Sequence, residues 1–223
     1  MAKKKKAPKL DLPTRFSPSA RAAAEAFLQK IESLRRRYKP DSVELTERQE
    51  RLIAQIQKAF AGVTCYGEAR VLLAGEAEDE YLSQEVQAVL ATMEERDDWS
   101  AIPDDLLFAC STSHCYAGPE AYRFLIPRFL IGALHGVVEI YPGLSLGSKL
   151  LEHDRQKMSL LDEQQRQCLE DFLNLDALFW ESTSRSQFLP WEIDEFNSYP
   201  PGEMDRKAYG TLLLERFLDR EGV

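Results

Sequence analysis

A chain of 223 residues with 44% hydrophobic and 29% charged side chains has the make-up of one main globular domain with appendages, not of a wholly disordered polymer. A net charge of −9 excludes a molecule whose whole surface is built for nucleic acid or an anionic bilayer, because both would repel it. The most apolar stretch, 124–138, is interrupted by Pro127, Arg128 and His135, so no membrane-spanning helix is read.

The charge is divided along the chain. Residues 1–40 hold 12 Lys and Arg against 3 Asp and Glu, a balance of +9, and the remainder holds 16 against 34, a balance of −18. Lys3–Lys6 and Lys9 with Pro8, Pro13 and Pro18 predict a disordered tail over 1–18. That basic start runs into Pro8, Asp11 and Pro13, not into an apolar segment, so it does not read as a secretory signal and a cytoplasmic location is expected. Cys65, Cys110, Cys115 and Cys168 are accordingly expected as thiols.

A basic amphipathic helix is predicted over 19–40, with Phe27, Ile31, Leu34 and Tyr38 inward, Arg35–Arg37 outward, and Pro40 as its stop. A helical core domain follows over 41–182. Thr46 and Gln49 form a capping-box pattern for a helix that Gly62 closes. Short and long helices are expected around 68–73 and 79–94. Pro103 begins another short helix, and Gly118-Pro119-Glu120 begins a longer, centrally buried one, with a kink or break at Pro127. A short amphipathic piece is read near 144–151. Ser159 and Asp162 can cap a helix whose inner face includes Cys168, Leu169 and Phe172. Residues 183–223 read as an irregular C-terminal extension, aromatic around Phe188–Trp191, ending in a helix over about 205–220. The fold class is therefore mainly α, a compact multi-helix domain, because period-two alternation is scarce.

Tyr116–Pro127, with Asp98-Trp99 before it and Leu160, Gln164, Phe172 and Leu173 after it, resembles an uncharacterised bacterial domain family. That family shows a Thr-Pro-Glu helix start, an aromatic-Arg-aromatic step, a Leu-Pro pair and a Leu-Thr-x-x-Gln helix. Gly118 stands where the family favours Thr. The resemblance covers roughly 46–180, implies a helical domain of unknown function, and singles out Trp99, Pro119, Tyr122, Arg123, Pro127 and Gln164.

The densest group of potential metal ligands or nucleophiles is Cys110, His114 and Cys115. Three ligands in one loop fall short of a structural zinc site, unless Cys65, His135, His153 or Cys168 completes it, so no metal or other cofactor is assigned. As a nucleophile, Cys115 precedes a helix N-terminus, but neighbours such as His114 and Cys115 usually point apart, so a more remote base is expected. Gly143, Gly147, Ser148 and Lys149 lack the spacing of a phosphate loop. No recognisable catalytic set appears, and the first expectation is a non-enzymatic acidic interaction domain of immunity or regulatory type. Its acidic stretches would be Glu76, Glu78, Asp79 and Glu80 with Glu94, Glu95, Asp97 and Asp98, and its partner another protein, of basic character. Alternatives are an enzyme using the Cys110–Cys115 loop, and nucleic-acid binding through residues 1–40.

Overall fold

The computed structural model describes residues 15–40, 43–67, 70–138 and 157–183. The tail over 1–14, the piece near 144–151 and the C-terminal extension beyond 183 lie outside the described residues. Seven α-helices are described: α1 Pro18–Arg35, α2 Glu47–Ala59, α3 Leu72–Asp79, α4 Gln84–Ala91, α5 Asp104–Ala109, α6 Pro119–Leu134 and α7 Glu163–Thr183. Two 3-10 turns, Trp99–Ala101 and Ser113–Tyr116, connect them, and no strand occurs among the described residues. The expected mainly α class is observed. No described helix is long and apolar enough to cross a membrane.

The centre is α6, whose side chains from Phe124 to Leu130 are all buried. The expected break at Pro127 does not occur, and the helix runs continuously from Pro119 to Leu134. An interior proline costs about 3 kcal/mol. Phe124, Leu125, Phe129 and Leu130 are each fully enclosed, and each stabilises by about 1.5–3 kcal/mol, so packing outweighs the missing hydrogen bond.

α1 packs on α4 and α5, α2 on α6 and α7, and α3 on α4 and the Ser113–Tyr116 turn. Ala20, Ala24, Phe27 and Ile31 of α1 belong to the same buried cluster as α6. Pro18, read as tail, is instead the first residue of α1. Ser17 caps it, accepting the Ala20 N–H at 3.2 Å, and donates its own N–H and hydroxyl to Glu85 of α4. The helix also stops sooner than Pro40, at Arg35, leaving Arg36–Lys39 beyond it.

The helices expected around 68–73 and 79–94 are both displaced: the first is found as α3, Leu72–Asp79, and the second is shortened to α4, Gln84–Ala91. α3 ends at Asp79, and Tyr81 takes a left-handed backbone at φ 56°. The Tyr81 N–H then bonds the Glu78 carbonyl and the Leu82 N–H the Ala77 carbonyl, both at 2.9 Å. This double bond pattern ends a helix and is normally built on glycine. Gly136 provides the same ending for α6, at φ 70°. Ser83 then caps α4. Thr46 and Gln49 form the expected capping box of α2, and Gly62 has the expected positive φ, 72°.

Candidate functional site

The two acidic stretches lie at the C-terminal end of α3 and in the segment after α4, and they do different work. Glu76 is buried in α3 and accepts from the Thr112 hydroxyl at 2.9 Å and its N–H at 3.2 Å. Burial holds its carboxyl pKa above the ordinary value. Glu78 pairs with Arg70, and Glu80 with Lys30 at 2.5 Å. Asp79 accepts the Tyr116 hydroxyl at 2.6 Å, a bond that pushes the phenol up to about 12.

Glu94 has a side chain with no exposure at all. Its two oxygens accept the Ala74 N–H at 2.7 Å, the Val71 N–H at 3.3 Å and the Arg96 guanidinium at 3.1 Å. α3 starts at Val71 without a capping side chain of its own, so Glu94 supplies the cap from another segment. Burial nevertheless raises its pKa. Arg96 also reaches the carbonyls of Gly67 at 2.7 Å and Cys65 at 3.3 Å. Glu95 accepts the backbone N–H groups of Arg96, Asp97 and Asp98, and Asp98 caps the Trp99–Ala101 turn through Ser100. The eight acids therefore do not form one free surface. Glu76 and Glu94 are interior scaffolding, because folding brings backbone donors to them, while Glu80, Glu95, Asp97 and Asp98 remain exposed.

Between the start of α3, residues 93–95 and the approach to α5 lies a cleft of about 50 Å³. Leu72, Leu73, Met93, Ile102 and Leu106 form its apolar walls, and Glu94 and Glu95 line its polar side. A small-molecule site encloses roughly 300–1,000 Å³, so this cleft is much smaller than that.

In the Cys/His loop the expectation of divergent side chains is overturned. Cys115 Sγ lies 3.6 Å from His114 Nε2. The Ser113–Tyr116 turn makes this possible, and His114 Nδ1 sits 3.1 Å from the Ser111 carbonyl. A carbonyl accepts only, so Nδ1 carries the proton and Nε2 presents its lone pair to the thiol. The imidazole packs on Phe129 with ring centroids 4.6 Å apart. Burial, opposed by the Ser111 bond and aided by Lys157, pushes its pKa down to about 4. At neutral pH the imidazole is therefore uncharged, and it is a weak base. Cys110 is fully buried, with its thiol pKa well raised, and does not join them. Cys65 and Cys168 are also buried, and their thiols are pushed up to about 11. His135 is exposed and His153 lies outside the described residues. No group of three or more His, Cys, Asp or Glu suited to a metal assembles among the described residues.

The motif positions hold the fold together. The Trp99 indole N–H donates to the Phe60 carbonyl at 2.9 Å, Pro119 starts α6, and Tyr122 is half-buried against the core. Pro127 is buried within α6. Gln164 is exposed, and the glutamine that matters is its neighbour Gln165. Gln165 donates to the Ala59 carbonyl at 3.0 Å and accepts from Arg123 at 3.1 Å. It also exchanges hydrogen bonds with Asp162, which replaces Ser159 as the cap of α7. Leu161-Asp162-x-x-Gln165 thus repeats the Leu45-Thr46-x-x-Gln49 start of α2, one residue later than the spacing counted from Leu160. Two further residues went unread in the sequence. Arg128 donates to the Ile102 carbonyl and pairs with Asp104. Glu120 accepts the N–H groups of Tyr66 and Gly67, each at 3.0 Å.

Fold and motifs together define a mainly helical domain stitched by buried glutamine, glutamate and arginine side chains. The chain belongs to the family of unknown function DUF6714, whose pattern matches residues 48–199. No curated protein and no solved structure matches it.

Proposed function

We propose that this is a cytoplasmic, non-enzymatic protein-interaction domain of immunity or regulatory type, which receives a basic partner segment at the cleft beside Glu95. The observation that carries the reading is an apolar cleft with an acidic side, the arrangement of a small anchor site with a polar rim. The acidic remainder of the chain would steer a cationic partner toward it. Glu95 and Asp98 hold backbone, so the informative charge reversal is Asp97→Lys, combined with Glu80→Lys, which also gives up the pair with Lys30. A partner recovered by pull-down should associate about tenfold more slowly with the doubly reversed protein at low salt. Leu106→Arg, at the cleft wall, should raise its dissociation rate. Unchanged kinetics in both variants would remove the reading.

The 3.6 Å thiol–imidazole pairing favours a second reading, an enzyme using Cys115. The low basicity of His114 opposes it. Cys115 should alkylate at the rate of an ordinary exposed thiol at neutral pH, with the three buried cysteines reacting only on unfolding. Alkylation accelerated about a hundredfold, and slowed by His114→Ala, would reverse the order of the two readings.

A further inference from the structure

Just beyond α1, a chain segment rich in cations carries Tyr38, whose ring meets Phe108 of α5. The rings of Tyr38 and Phe108 lie 5.5 Å apart, tilted by 41°, and Phe108 is 39% exposed although it is large and apolar. Arg36, Arg37 and Lys39, next to Tyr38 in the chain, are exposed. The carboxylates that the contacts place here are already engaged. Arg35 grips Asp105 through Nε and Nη2, at 3.0 and 2.9 Å, Arg128 holds Asp104, and Glu32 is shared between Arg35 and Arg36. Arg37 and Lys39 meet no carboxylate among the described residues. The helix dipole accounts for Arg35 in the last turn of α1, but it falls off within that turn and does not account for an exposed phenylalanine. Positive charge beside an exposed ring runs against the field of a chain that carries −9 overall.

We propose that this segment, with Phe108, binds single-stranded nucleic acid. An unpaired base stacks on Phe108, with Tyr38 behind the ring, and Arg37 and Lys39 take the flanking phosphates. Stacking needs an unpaired base, so a duplex gains only the charge contacts. An acidic peptide would use the cations and leave the ring idle. The proposal stands apart from the cleft beside Glu95, and either reading survives failure of the other.

The test is fluorescence anisotropy of the full chain with a labelled oligo-dT of about 12 nucleotides, from about 25 to about 200 mM salt. Phe108→Leu keeps an apolar group against Tyr38 and should weaken binding fivefold or more, by roughly the loss of one stacked base, with the salt slope unchanged. Phe108→Tyr, which still stacks, should bind as the unsubstituted protein does. Arg37→Ala with Lys39→Ala should flatten the slope of log K against log salt by about 1.4. Deleting residues 1–14 should leave the Phe108→Leu effect in place. No binding at the lowest salt would overturn the proposal, as would binding indifferent to Phe108→Leu. A labelled Glu-rich peptide bound equally tightly, with the same dependence on Phe108, would overturn it in favour of a protein partner.

Discussion

Tyr81 adopts the left-handed conformation that ends α3, and its side chain is 96% exposed, so nothing in the folded domain compensates its backbone cost. A non-glycine residue there is worse than glycine by roughly 1–2 kcal/mol, part of which the greater freedom of unfolded glycine returns. Tyr81→Gly is therefore expected to stabilise by about 1 kcal/mol, read as a raised urea midpoint with unchanged slope. His114 makes a pH prediction with a definite sign. Its folded pKa of about 4 lies below the ordinary 6.5, so the unfolded chain takes up the proton first as pH falls. The stability it contributes is complete above pH 6.5 and is lost on descending to pH 4, a loss of about 3 kcal/mol. Glu76 and Glu94, with raised pKa values, act oppositely and favour the folded state as pH falls. Denaturation of His114→Gln at neutral and acid pH, set against the unsubstituted protein, isolates the histidine. A difference that does not change with pH would contradict its buried, neutral state.

At the scale of elements, the helix starts show what residue pattern reveals and where it stops. Thr46 and Gln49 carry their box within one helical turn, and so can be recognised from spacing alone. The leucine doublet Leu160-Leu161 leaves the counting frame ambiguous between Gln164 and Gln165. Only the neighbours, Ala59 and Arg123, separate the two glutamines. Gln165→Ala leaves a buried carbonyl and a guanidinium N–H unsatisfied and should cost about 2 kcal/mol or more. Gln164→Ala should stay within about 0.5 kcal/mol. Chemical denaturation of the pair checks the register directly, since equal effects would refute it. Gly75 carries the same lesson with the sign of propensity reversed. Helix propensity favours alanine there, yet its Cβ would sit 2.9 Å from the Ser113 backbone oxygen, so Gly75→Ala is expected to destabilise by about 1–3 kcal/mol.

On the scale of the molecule, the family match begins at residue 48, but the core does not. Phe27 and Ile31 of α1 are almost fully buried against α4 and α5. Two such side chains and the surrounding alanines contribute about 5 kcal/mol, comparable with the whole stability of many domains. A chain starting at Glu44 should lose its cooperative thermal transition, while one starting at Arg15 should keep it. Calorimetry distinguishes the two, and a cooperative shorter chain would show α1 to be an appendage.

Helical class, the capping of α2, the burial of α6 and the start at Pro119 were all readable along the chain, because each depends on residues within a few positions of one another. Continuity through Pro127, the ending at Tyr81 and the interior placement of Glu76 and Glu94 were not. Pro127, Glu94 and Glu76 turn on partners distant in sequence, namely packing around α6, backbone donors at Val71 and Ala74, and the Thr112 hydroxyl, whereas the ending at Tyr81 is local but uses a residue type that seldom takes that conformation. A run of acids has the same composition whether water or backbone N–H groups surround it, so only folding sorts the carboxylates that hold the domain together from those left in water.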